Sequence, residues 1–411
     1  MMDERSPIGD LAERETAENV VIFVSDSTRY DAVPDRVTNL GPSGKAIAPS
    51  TFTAPSFPSL FTGVYPAEHG IWDFNERLGV RPRLFEGPES VGFRADTIWT
   101  HLKPEEKPPR RMLGVEATES LTELEPPFVY IEHHKGGHLP YGYTFEECES
   151  TEEFFDTRLE SLDRIPSLYQ RSVDTACDRF LDVVAELERR GLMDETLVIF
   201  TSDHGEVLGE VRYGRPYGHE QPLVPELAEV PLVFAGAGLP DDVELPGVYS
   251  GTDIVPTALS ALGRSGRPRV SGIDLWRTVS GQDRLVRSDV LRTKELGRLG
   301  RTFTKYEATS VWDGGGGTVY HRGPRLERLG YALYIQLYAK HEAPWLRSEM
   351  GLRGLRGLFG TYWPKRLTFG TPSFERQDAE RVLPAGFERE PSAATEDRIP
   401  ADQLEKLGYL E

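Results

Sequence analysis

The sequence predicts an α/β fold, a mostly parallel sheet flanked by helices, with a smaller C-terminal subdomain. Two observations carry this. Residues 20–24, 128–132 and 197–200 are continuous β-type runs, rich in Val, Ile and Phe, and each hands polar residues to its carboxyl end, as buried parallel strands do. Between the second and third, residues 169–190 place Val173, Ala176, Cys177, Phe180, Leu181, Val184 and Leu187 at helical spacing and stop at Gly191, which describes a crossover helix. Strand, helix and strand in alternation is the signature of an α/β sheet.

Taken in order, residues 20–24 lead into Ser25-Asp26, residues 128–132 into His133, and residues 197–200 into Thr201-Ser202-Asp203-His204-Gly205. The carboxyl edge of an open α/β sheet is where sites are built, so three such arrivals mark one edge as functional. Residues 230–235 read as a further strand, and residues 253–262 as a helix with Pro256 in its first turn. Beyond residue 285 the texture changes to Arg-rich segments, a run of four glycines at 314–317, and an apolar stretch at 331–338. The expected organisation is an N-terminal extension (1–17), a catalytic α/β domain (18–285), a C-terminal subdomain (286–383) and a charged tail (384–411).

With 411 residues and 38% hydrophobic content, the chain can bury a sizeable core. It carries 47 basic against 66 acidic residues, a net charge of -19, which repels nucleic acid. Cys148 and Cys177 are the only cysteines, so no disulfide framework is expected. The start is acidic and polar, and no apolar run reaches membrane-spanning length; the expected location is cytoplasmic. Lysine is scarce, nine residues, and such an acidic, lysine-poor composition suits a salt-rich cell interior.

Asp26, read alone, is a helix-capping residue or a ligand, and Asp203-His204 a turn or a ligand pair. Together they offer carboxylate and imidazole donors for a divalent ion. Thr53 precedes a short Pro-containing helix that ends in Gly63; its hydroxyl is either a cap or a nucleophile at an anion-favouring helix N-terminus.

The order Asp26-x-x-Arg29-x-Asp31, then Thr53-x-Pro55-Ser56-x-x-Ser59-Leu60-x-Thr62-Gly63-x-Tyr65-Pro66-x-x-His69-Gly70, then His138-x-Pro140-Tyr141, then Ser202-Asp203-His204-Gly205-Glu206 resembles the alkaline phosphatase superfamily in its sulfatase-like branch. Gly251-Thr252-Asp253 also resembles a helix start of that family. The resemblance covers residues 18–280. It implies Asp26, Asp203 and His204 as metal ligands with Thr53 as nucleophile and further ligand. It implies His138 and His219 as groups facing the substrate or leaving group, and Asn75 as a contact to a non-bridging oxygen. The implied cofactor is one divalent metal ion (Mn, Zn, Mg or Ca). A second ion at His134, His138 and His219 is not favoured. Structural roles remain open for Asn75, His138 and His219.

Departures from the pattern shape the expected chemistry. Sulfatases begin from a Cys or Ser that becomes formylglycine, followed by an Arg; here Thr53 and Phe57 stand at those places, and Ser27 replaces the second Asp of the usual pair. Threonine, a secondary alcohol, cannot give that aldehyde. The expectation is therefore a hydrolase or transferase of phosphoric esters working through a covalent Thr53 intermediate. The alternatives are a sulfuric ester enzyme, using Thr53, Ser50 or Thr51, and a non-catalytic metal-binding protein. The implied partner is a small-molecule or lipid- or glycan-linked anionic ester. Residues 345–366 mix Trp, Leu and Arg, and suit either packing against the core or weak membrane association.

Overall fold

The computed structural model describes residues 6–87, 90–96, 102–118, 120–215, 217–264, 270–296, 301–338 and 344–387. Fourteen strands lie in this part of the chain: β1 (Asn19–Ser25), β2 (Pro42–Ile47), β3 (Ser90–Asp96), β4 (Phe128–His134), β5 (Thr196–Thr201), β6 (Val207–Leu208), β7 (Tyr217–Gly218), β8 (Glu229–Gly236), β9 (Val243–Glu244), β10 (Tyr249–Ser250), β11 (Val286–Leu296), β12 (Arg301–Asp313), β13 (Gly316–His321) and β14 (Arg366–Gly370). The main sheet runs β10-β2-β8-β5-β1-β4-β3, with β9 pairing on β2. β5, β1, β4 and β3 are mutually parallel, whereas β8 is antiparallel to both β5 and β2. The three strands read from the sequence are thus direct neighbours with β1 in the middle, and their carboxyl ends share one edge.

Helices cover both faces. The long helix α2 (Ile165–Arg189) buries Val173, Cys177, Phe180 and Val184 against Val21, Phe23, Val198 and Phe200. On the other face, α1 (Thr53–Thr62) and α3 (Ile254–Ala261) pack Phe57, Leu60, Phe61, Ile254 and Ala258 against Val20, Ile22, Val24 and Ile199. This split between odd and even positions of β1 is the strand's period of two. α2 begins four residues earlier than the apolar spacing indicated, because Pro166 sits in its first turn, where a missing N–H costs nothing. Ile8 and Ala17 of the expected N-terminal extension lie in the core, and the Trp276 indole donates to the Glu15 carbonyl.

The C-terminal part is a four-stranded antiparallel sheet, β11-β12-β13-β14. α4 (Arg325–Tyr338) and α5 (Pro344–Tyr362) pack on it, with Leu329, Ala332, Leu358 and Tyr362 joining Val290, Tyr306, Ala308 and Trp312. Ile47 and Leu223 of the main unit belong to the same cluster, so the two sheets share a core. From the 345–366 segment, Leu352, Phe359 and Trp363 are exposed. Of the expected tail, Phe387 packs on Trp72, with ring centroids 5.0 Å apart, and residues 388–411 lie outside the described residues. Among the described residues no helix is long and apolar enough to cross a membrane. Both cysteines are free and buried.

Candidate functional site

Asp26 follows β1 directly, and its backbone is fixed by the loop after β4. Its N–H donates to the His134 carbonyl (2.9 Å), and its own carbonyl accepts from the Gly137 N–H (2.7 Å). Gly136 has φ +55°, and a Cβ there would stand 2.2 Å from the Asp26 carbonyl oxygen, so only glycine permits this approach. Ser27 holds a left-handed φ of +56°, which costs a non-glycine residue about 1 kcal/mol. In return its hydroxyl donates to Asp26 Oδ1 (2.9 Å) and its N–H to Asp203 Oδ1 (3.3 Å). The serine at the place of the usual second Asp therefore orients both remaining carboxylates.

Asp203 and His204 leave β5. The His204 Nδ1–H donates to the Gly205 carbonyl (2.9 Å), which leaves Nε2 with its lone pair toward the cluster. That nitrogen lies 3.5 Å from Asp26 Oδ1, 3.7 Å from Asp203 Oδ2 and 3.3 Å from Thr53 Oγ1. The donor atoms of Asp26, Asp203 and His204 all fall within 4.8 Å of one another, and all three residues are buried. Burial and the Asp203 charge push the Asp26 carboxyl well above its usual range. For Asp203, burial acts in the same upward sense, but His204 and His133 outweigh it and hold the group low. Asp203 Oδ2 is buried without a hydrogen-bond partner. Two carboxylates crowded into a dry pocket, one with an unsatisfied oxygen, fit a divalent ion.

Thr53 is the first residue of α1, with Oγ1 3.5 Å from Asp26 Oδ2 and its backbone at the positive end of the helix. The alternative hydroxyls point elsewhere: Ser50 Oγ donates to the Asp289 carbonyl (2.6 Å) and Thr51 Oγ1 to the Glu220 carbonyl (2.6 Å). Phe57, one turn along α1, puts its ring 4.6 Å from that of His133, so an apolar face occupies the place where the family pattern has a guanidinium.

The His138 and His219 rings are 5.0 Å apart, and His219 is 4.7 Å from His204. The His138 Nδ1–H donates to the Leu139 carbonyl (2.8 Å); burial, then His219, lowers its pKa to about 3. Burial, then His204, also lowers His219, whose Nδ1 lies 3.3 Å from Glu206 Oε2. Burial raises the Glu206 carboxyl to about 7. Asn75 lies in a turn, where its side-chain amide donates to Asp73 Oδ1 (3.2 Å). His134 turns its Nδ1 to the Gly136 N–H (3.1 Å) and its ring onto Phe23, while His138 and His219 sit together without it. Arg29 braces the first loop through Asp31 and Glu210. Sequence reasoning passed over His133 and Glu206. Glu206 was already visible in Asp203-His204-Gly205-Glu206, as was His133 at the end of a core strand.

This arrangement, a buried Asp, Asp and His cluster at the edge of a mixed sheet beneath a helix-borne threonine, defines a member of the alkaline phosphatase superfamily. Within it, the chain belongs to the sulfatase family. The Sulfatase family profile matches residues 109–264. Over 410 residues, 98% of this chain and 99% of the relative, it is 40% identical to the low-salt glycan biosynthesis sulfotransferase Agl7 of Haloferax volcanii. Among solved structures it resembles a 2-O GAG sulfatase (TM-score 0.55, 15% identity, 82% of this chain and 93% of that one). It also resembles the phosphonate monoester hydrolase of Agrobacterium radiobacter (TM-score 0.54, 14% identity, 85% and 96%). These two likenesses establish the fold. Superfamily members work with a divalent ion, and this donor set suits one. The expected preference for phosphoric esters finds no support in the family profile or the full-length relative, which fit the sulfuric ester alternative better.

Proposed function

We propose that this protein transfers sulfuryl groups between ester oxygens, with a glycan as one partner, through a covalent sulfo-Thr53 intermediate. The observation that carries the reading is the end-to-end likeness to a glycan sulfotransferase. A divalent ion held by Asp26, Asp203 and His204 would neutralise the sulfuryl oxygens and lower the pKa of the Thr53 hydroxyl. Thr53 Oγ1 attacks sulfur as the S–O bond to the donor's leaving oxygen breaks, its hydroxyl proton passing by way of the His219 ring to that oxygen, with the N-terminal end of α1 favouring the anion. The His138 Nδ1–H is spent on the Leu139 carbonyl, so its other nitrogen is the basic one. The ring is neutral at ordinary pH and suited to take a proton from an acceptor hydroxyl. His219, steered by Glu206, serves the leaving oxygen, and Asn75 is assigned to a sulfuryl oxygen. Burial of Thr53, Asp203, His204 and His138 keeps bulk water from competing, which favours transfer over hydrolysis.

The second reading, phosphoryl transfer from a phosphoric ester, is favoured by Thr53 itself, since an ordinary phospho-ester is readily broken by attack at phosphorus. The deciding experiment supplies the metal-loaded protein with matched sulfur-labelled and phosphorus-labelled aryl esters and a glycan acceptor. Labelled sulfate on the glycan supports the proposal; label arriving only from the phosphate ester refutes it. The cytoplasmic location expected from the sequence and weak, salt-sensitive contact with anionic bilayers through the exposed α5 face belong to the same reading.

A further inference from the structure

His133 is the penultimate residue of β4, in register with Val24 of β1, on the strand face that looks toward α1. It is 1% exposed, and neither ring nitrogen has a hydrogen-bond partner. A buried imidazole normally satisfies at least one nitrogen, and leaving both unpaired is costly. On one side the ring meets Phe57, which offers nothing polar. On the other, Nε2 stands 3.7 Å from Asp26 Oδ2 and 3.8 Å from Asp203 Oδ2, too far for hydrogen bonds to either. Asp203 Oδ2 is the oxygen that also lacks a partner.

These spacings have a simple common cause. Donor atoms bound to one ion at roughly 2.0–2.2 Å stand about 3–3.6 Å from each other, the edge of a tetrahedral or octahedral site. The His204 Nε2 edges, 3.5 Å to Asp26 Oδ1 and 3.7 Å to Asp203 Oδ2, are close in length to the His133 distances, which run to the other Asp26 oxygen and to the same Asp203 oxygen and lie about 0.1–0.2 Å beyond such an edge. We propose that His133 Nε2 is a protein ligand of the divalent ion, completing a set of two carboxylates and two imidazoles, and that this set selects zinc over calcium or magnesium. The chemical reason is that imidazole suits zinc-type ions, whereas calcium and magnesium favour all-oxygen sites. The inference rests on the metal half of the proposed function and is independent of whether sulfur or phosphorus is transferred.

The test uses full-length apo-protein, zinc and calcium titrations against a competing chelator, and X-ray absorption at the zinc edge to count imidazoles. The wild type should show two imidazoles and bind zinc more tightly than calcium. His133→Gln should show one, and its zinc affinity should fall by at least about tenfold, the loss seen even for outer partners of metal-bound histidines. Its calcium affinity should change by less than about threefold, because imidazole contributes little to a hard-cation site. His138→Gln should keep two. A single imidazole in the wild type, or His133→Gln retaining two with unchanged zinc affinity, would overturn the assignment. So would a wild type that binds calcium as tightly as zinc. His133→Asn supplies a second variant should Gln overfill the pocket, and the wild-type spectrum decides by itself if neither folds.

Discussion

Replacing Gly136 by alanine should injure the site out of proportion to its size. The added Cβ would lie 2.2 Å from the Asp26 carbonyl oxygen and 2.7 Å from the Asp26 nitrogen, where ordinary contact begins at 3.4 Å. The loop or Asp26 must therefore move by about 1 Å, against a tolerance of about 0.2 Å for a metal ligand. The hydrogen bonds that pin Asp26, to the His134 carbonyl and from the Gly137 N–H, flank the clash and are lost with it. Two such bonds at about 1 kcal/mol each, plus about 1 kcal/mol for alanine at a left-handed φ, total about 3 kcal/mol. For a protein of this size that lowers Tm by about 3–4 °C. Gly191→Ala is the control: its φ is +69°, but a Cβ there meets nothing within 4 Å, so only the backbone cost of about 1 kcal/mol applies. Thermal melts and metal titrations of both variants give the comparison. Equal Tm losses, with metal affinity unchanged in Gly136→Ala, would refute the reasoning.

Asp203→Ala should abolish stoichiometric metal by elemental analysis and activity with it; full occupancy would move the site. Arg179→Met should destabilise by about 3 kcal/mol, because it removes the bonds of 2.6 and 2.9 Å from Arg179 and leaves the buried Glu132 carboxylate with only the Tyr130 hydroxyl (2.8 Å) and a longer contact to Arg94 (3.9 Å); a melt within about 1 °C of wild type would show the pair to be dispensable. Anionic vesicles should bind the protein only weakly, because the net charge of -19 opposes it, through Leu352, Phe359, Trp363 and the neighbouring Arg353 and Arg356, with binding lost at high salt as the arginine attraction is screened. Binding that survives high salt would mean the apolar side chains dominate.

The parallel core was legible because its strands are buried on both faces and so appear as unbroken apolar runs. The ligand set was legible because each run ends in its own polar residues. β8 was legible as a strand but not as antiparallel, since burial on both faces hides direction. β3 escaped notice: Gly92, Arg94 and Asp96 interrupt its apolar pattern, and Gly92 is there because a Cβ would meet Tyr130 and Leu124. The second sheet was hidden by half-exposed strands such as β14, too short, with only Leu367 and Phe369 apolar, to show a pattern. Within the site, Glu132-His133-His134 offered three polar residues, and only strand alternation in three dimensions shows that Glu132 faces Arg179 while His133 faces Asp26 and Asp203. The reaction class depended most on what one sequence cannot hold: Thr53 alone argued for phosphorus, and a full-length relative argued for sulfur.

Sulfuryl transfer as proposed requires that Thr53 carry the group during turnover. The direct measurement is rapid acid quench of the metal-loaded protein with a sulfur-labelled aryl sulfate, followed by peptide mapping at mass accuracy sufficient to separate sulfo from phospho adducts. Label is expected on the peptide containing Thr53, lost on adding glycan acceptor, and absent in Thr53→Ala. An unlabelled Thr53 peptide during active turnover, or a phospho-Thr53 adduct formed from the matched phosphate ester alone, would contradict sulfuryl transfer through Thr53.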